Sequence, residues 1–127
     1  AVTNIYFSNI KSISENGIYV GAESADKVSG IVFDNIDMLV HKTTTLPGGV
    51  YDRRRSNVEG ILKAPTSAFY LDKVSNITIR NSAVSWGKNL PDYFAHVLES
   101  NEVTGLKIFN LEGESAFPSK VEAIKKQ

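Results

Sequence analysis

Apolar and polar residues alternate along four short stretches of this chain, and all four carry one phrase. The first reads Val2-Thr3-Asn4-Ile5-Tyr6-Phe7-Ser8-Asn9-Ile10, and the second reads Val28-Ser29-Gly30-Ile31-Val32-Phe33-Asp34-Asn35-Ile36. The third and fourth begin at Val74 and Val103 and keep the same template of Val, Ser or Thr, Asn or Gly, Ile or Leu, and Asn at the eighth place. Alternation with a period of two predicts a strand with one buried face. A second short strand precedes each of the last three phrases, at residues 17–20, 68–71 and 96–99.

Repetition of a phrase means stacked units. The phrases start 26, 46 and 29 residues apart, and 46 is close to two units of 23, so the spacing predicts about five coils of roughly 23 to 29 residues. Two strands per coil in a constant order point to an all-β solenoid, a right-handed single-stranded parallel β-helix. An antiparallel sandwich also uses many short strands, but its strands need no shared phrase. The phrase asparagines Asn9, Asn35, Asn81 and Asn110 suit a tight bend, since Asn tolerates left-handed backbone. In register they stack about 4.8 Å apart and share hydrogen bonds from coil to coil, a structural role. Residues 118–126, with Val121 and Ile124 as an apolar side, read as a short C-terminal helix or tail that covers the last coil.

A chain of 127 residues, 42% hydrophobic, reads as one domain spanning 1–127. Its 14 basic and 14 acidic residues cancel, so no global field draws nucleic acid or an anionic membrane. There is no cysteine, which removes disulfide and thiolate chemistry, and the two histidines have no spacing that suggests a zinc site. No metal or other cofactor is expected. No apolar run is long enough to span a bilayer as a helix, and no secretory leader opens the chain. The first strand starts without a cap, which predicts that the stack continues upstream, that this is the C-terminal portion of a longer protein, and that the exposed N-terminal coil edge can self-associate.

The stretch Asn16-Gly17-Ile18-Tyr19-Val20-Gly21, followed by the Val28 to Met38 strand, resembles the C-terminal coils of polygalacturonase-like glycosidases, glycoside hydrolase family 28. The resemblance covers residues 2 to 40 and, beyond them, only the coil rhythm. It implies a pectin lyase-like right-handed β-helix, a secreted, periplasmic or cell-surface location, and hydrolysis of pectic polysaccharide with inversion. The family's Arg and Lys on the first strand fall on Tyr19 and Gly21 here, so a bidentate grip on a uronate carboxylate is absent. The catalytic signatures of the family, Asn-Thr-Asp, Asp-Asp and Gly-His-Gly, do not occur in these residues. The resemblance therefore implies that the catalytic carboxylates lie upstream, that a polysaccharide or oligosaccharide is the partner, and that this chain alone is inactive.

The candidate site residues come from two loops and two strands. Inverting hydrolysis needs one protonated and one ionised carboxyl, for which Asp52, Asp72, Asp92 and Glu99 are available, though none sits in a motif. Residues 43–55 interrupt the rhythm at greatest length: Tyr51 offers a ring to a sugar face, Asp52 a carboxylate, and Arg53 with its two Arg neighbours a grip on carboxylate, sulfate or phosphate. Solvated or ion-paired arginines are the structural alternative. Residues 84–96 hold Trp86, Tyr93 and His96, a platform for a pyranose or, equally, a cover for the side of the solenoid. Tyr19 completes the substrate-facing set. Two other functions fit the same fold: a glycan-binding or purely structural solenoid of a surface or tail-spike protein, and a lyase, for which the carboxylates are too scattered to hold calcium.

Overall fold

Each phrase contributes a strand and holds two left-handed residues. The third position, occupied by Asn4, Gly30, Asn76 and Gly105, lies at φ 60°, 74°, 55° and 68°, and the eighth, Asn9, Asn35, Asn81 and Asn110, at 57°, 58°, 50° and 60°. Each such residue shifts the alternation by one place. Inward positions in the second phrase therefore run Val28, Ile31, Phe33, Ile36, Met38, Val40, spaced three, two, three, two and two. Only Gly, Asn and Asp adopt this backbone cheaply, so these residue types follow from the geometry.

The computed structural model describes residues 1–52 and 60–127, and every regular element among them is a strand. The strands are β1 (Val2–Ser14), β2 (Ile18–Gly21), β3 (Val28–Val40), β4 (Val50–Asp52), β5 (Ile61–Lys63), β6 (Phe69–Asp72), β7 (Ser75–Trp86), β8 (Leu98–Asn101), β9 (Lys107–Glu112) and β10 (Ile124–Lys126). Two four-stranded sheets run β1-β3-β7-β9 and β2-β6-β8-β10, with all neighbours parallel, and β4 pairs with β5 antiparallel. Parallel pairing excludes an antiparallel sandwich built from these two sheets.

Two expectations need correction. The 46-residue interval holds one layer and not two, because Ser29 pairs directly with Ser75, so the described strands make four layers where the spacing suggested about five. The surplus length is an excursion, residues 41–68, that carries β4 and β5. Residues 118–126 form no helix: a turn holds 118–120, where Lys120 and Val121 both bond the Phe117 carbonyl, and Ile124–Lys126 adds to β8 as a parallel strand. An isolated helix of about two and a half turns is marginal in water, whereas the open edge of β8 supplies backbone partners to Ile124–Lys126.

The core lies between the two sheets. Ile31, Phe33, Ile36, Met38 and Val40 of β3 meet Phe69 and Leu71 of β6 and Ile77 and Ile79 of β7, all at most 3% exposed. Phe7 stacks on Phe33 with centroids 5.2 Å apart, and Phe33 meets the Phe69 ring edge-on at 5.5 Å. The inward positions are not all apolar, since Ser100 shares the row of Leu71 and is 3% exposed. Ser82 sits in the Ile36 row, where its hydroxyl donates to the Arg80 carbonyl and accepts from the Ile36 amide, so both groups are satisfied.

Candidate functional site

The outward positions of the second sheet build the first part of the site. Alternation along β6 places Phe69 and Leu71 inward and Tyr70 and Asp72 outward, and the register aligns Tyr19, Tyr70, Glu99 and Lys125 in one row across the layers. The excursion lays Tyr51 on that row: its ring stacks on Tyr19 at 4.9 Å and meets Tyr70 edge-on at 5.4 Å. Tyr19 in turn arches over Gly21, where a β-carbon would fall 2.2 Å from the Tyr19 hydroxyl oxygen. No side chain larger than hydrogen fits at position 21 with Tyr19 in that place.

Burial shapes the chemistry of this row. Glu99 is 4% exposed, yet its oxygens accept from the Ser67 hydroxyl at 3.1 Å and the Gln127 amide at 3.2 Å, which replace the water it loses. Asp72 accepts from the Asn101 amide at 2.9 Å. Tyr51 is 5% exposed, and its hydroxyl, near the Ser67 backbone, has no partner in hydrogen-bond geometry among the described residues. Burial, with the nearby Glu99 charge as a smaller cause, pushes the Tyr51 phenol well above its ordinary value.

Two clefts that take in none of these row residues share Tyr93 as a wall. The first, about 340 Å³, is lined by Glu15, Lys42, Gly48, Asp52, Thr66 and Tyr93. Gly48 and Gly49 lie on the Tyr93 ring, and a β-carbon on Gly48 would fall 2.3 Å from the Tyr93 hydroxyl oxygen. Lys42 fastens the excursion to the turn after β1: its ammonium meets Glu15 Oε1 at 2.7 Å and Thr44 Oγ1 at 3.2 Å, and it bonds the Leu46 carbonyl. The Lys42 hydrogen bond, with two more from Thr44, holds the Glu15 carboxyl down at about 2. The second cleft, about 280 Å³, is lined by Pro65, Asp92, Tyr93, His96, Lys120 and Glu122.

The candidate residues thus fall into groups. Tyr19, Tyr51 and Glu99 gather around Tyr70. Asp52 and Tyr93 face the first cleft, and Tyr93 and His96 the second. Trp86 stands apart: its indole N–H donates to the Glu114 carbonyl at 2.9 Å and its ring lies 5.5 Å from Phe94. Arg53 and the two arginines after it lie outside the described residues. Sequence reasoning passed over Tyr70, Ser67 and Lys42. Tyr70 was legible as the outward residue between two apolar ones, whereas Ser67 and Lys42 acquire their partners only through long-range packing.

A second cluster was also missed, on the outward face of the first sheet. Asp34 accepts from Tyr6 at 3.0 Å and Asn81 at 3.2 Å, lies 3.4 Å from Arg80 Nε, and is held below the usual carboxylate range by those contacts, Asn81 first. Arg80 also donates to the Tyr6 hydroxyl and lies over its ring. No group of three or more potential metal ligands occurs among the described residues, and no helix there is long and apolar enough to cross a membrane. No protein-family model matches the chain, and comparison with curated proteins and with solved structures finds no significant match.

Proposed function

We propose that the two parallel sheets are walls of a right-handed β-helix and that the chain forms part of a carbohydrate-active protein of the polygalacturonase-like kind, working outside the cytoplasm. The observation that carries this reading is the pair of clefts on either side of Tyr93, whose linings combine an aromatic ring with carboxylates, ammonium groups and a hydroxyl. Sugars are recognised by that combination, an apolar face against a ring and hydroxyls against paired donors and acceptors. The resemblance of residues 2 to 40 to the family's C-terminal coils supports the same reading. In it the chain supplies groove walls, and the acid and base of hydrolysis come from elsewhere in the parent protein.

One observation favours a second, non-catalytic reading as a glycan-binding solenoid. The buried carboxylates of the second sheet, Glu99 and Asp72, are already engaged by amide and hydroxyl donors, an arrangement that suits structure better than proton transfer. Calorimetric titration of the purified protein with oligogalacturonides and neutral oligosaccharides tests both. The expected result is saturable binding, weakened about tenfold by Tyr93→Ala, as for loss of one aromatic anchor. No reducing ends should be released. Hydrolysis abolished by Asp52→Ala or Glu99→Ala would place the chemistry in this chain after all, and binding of no glycan would sink both readings.

A further inference from the structure

His96 is 7% exposed and has one of its two ring nitrogens committed. Nδ1 lies 2.7 Å from the Glu122 carbonyl oxygen. A carbonyl can only accept, so Nδ1 carries the proton, and in the neutral ring Nε2 keeps its lone pair. Nε2 has no hydrogen-bond partner among the described residues, yet the buried unpartnered side-chain atoms there number only the Tyr51 hydroxyl oxygen. Nε2 therefore reaches solvent, and His96 is one of the residues that line the second cleft. The backbone holds the residue in place: the His96 amide donates to Ser67 Oγ at 3.3 Å and its carbonyl accepts from Ala68 at 2.9 Å. The ring is a fixed acceptor, pre-oriented by the tail that packs behind it.

The other groups in the cleft narrow what it can hold. Asp92 and Glu122 bring two carboxylates against the single ammonium of Lys120, so an anionic ligand meets more repulsion than attraction. Tyr93 and Pro65 supply apolar surface. A volume of about 280 Å³ lies just under the ~300 Å³ where sites for drug-sized ligands begin, room for one sugar ring but not for a chain lying lengthwise.

We propose that this cleft is a subsite for the terminal residue of a neutral glycan, with His96 Nε2 accepting a hydrogen bond from a sugar hydroxyl. The proposal rests on the carbohydrate reading above and adds a defined place, an acceptor atom and a charge preference. Asp92 accepts from a second hydroxyl, and Tyr93 and Pro65 cover the apolar side of the ring.

The test uses the protein labelled with ¹⁵N-histidine and two probes, galactotriose and trigalacturonate. Long-range ¹H–¹⁵N spectra should show His96 as the Nδ1–H form, and galactotriose should move its Nε2 resonance in a saturable way. His96→Asn and Asp92→Asn should each weaken galactotriose binding about tenfold, the loss of one hydrogen bond worth about 1.4 kcal/mol. If His96→Asn unfolds the chain, the Nε2 shift and the exposed Asp92 variant still decide. Galactotriose that binds without moving Nε2 and with unchanged affinity in Asp92→Asn would remove the subsite while leaving the carbohydrate reading intact. Preference of trigalacturonate for the His96 cleft would overturn the neutral ligand, and no binding of either probe would overturn both readings together.

Discussion

Each phrase asparagine does two jobs at once, and the two are separable by substitution. At positive φ a residue with a β-carbon pays roughly 1–2 kcal/mol, which Asn reduces by bonding locally and Gly avoids. Asn35 also donates to Asn9 Oδ1 at 2.8 Å, and Asn110 to Asn81 Oδ1 at 3.4 Å, while Asn81 turns instead to Asp34. The ladder is thus two pairs with a break between the second and third layers, the break that the Asp34 carboxylate fills. Asn35→Gly should cost only the lost side-chain bond, about 1 kcal/mol, and Asn35→Ala should cost about 1–2 kcal/mol more through backbone strain. Urea unfolding of the two variants gives the difference directly; equal losses would mean that the backbone conformation carries no penalty.

At the scale of elements, contacts of three different kinds help tie the excursion between β3 and β6 to the rest of the chain. Lys42 pairs with Glu15, Tyr51 stacks on Tyr19, and the Gly48-Gly49 backbone lies on Tyr93. The first of these depends on pH. Glu15 titrates at about 2 in the folded chain against an ordinary 4.5, so its contribution is fully present above 4.5 and is lost as pH falls from there towards 2. The protection factors of the Thr44 and Leu46 amides, each rate taken relative to its intrinsic rate at the same pH, should therefore fall through that window while those in β7 stay high, and Lys42→Met should flatten the dependence. An unchanged Thr44 protection factor from pH 5 to 2.5 would show that the pair does not hold the excursion.

Across the whole molecule, burial is shared between neighbouring layers. Phe7 and Phe33 occupy the same inward position on adjacent strands, yet Phe7 is 38% exposed and Phe33 3%. Ile10 and Ile36 repeat the contrast at 39% and 1%. A residue in this architecture is stabilised chiefly by the layer on either side, so an outer layer gains from one neighbour where an inner layer gains from two. Phe33→Ala should cost about 3–5 kcal/mol, the range for a buried aromatic, and Phe7→Ala distinctly less. Equal losses in chemical denaturation would mean that the β1 end is covered in solution as fully as the interior.

What the residues alone determined was whatever recurs with a fixed chemical need. A position that is always apolar, or always Asn or Gly, reports its own environment, so the phrase strands, their parallel stacking as an expectation and the bends at Asn35 and Asn81 were legible without coordinates. The interval of 46 residues was not, because length alone cannot tell two layers from one layer with an excursion; the pairing of Ser29 with Ser75 decided it. The same holds for the tail, where residues 118–126 carry enough apolar residues for a helix but find a strand edge to complete. The candidate site was legible as residue types only. That Tyr51 meets Tyr19, that Ser67 and Gln127 hold Glu99, and that Glu122 claims one nitrogen of His96 and frees the other are contacts between residues 26 to 32 positions apart, set by which strand lies beside which.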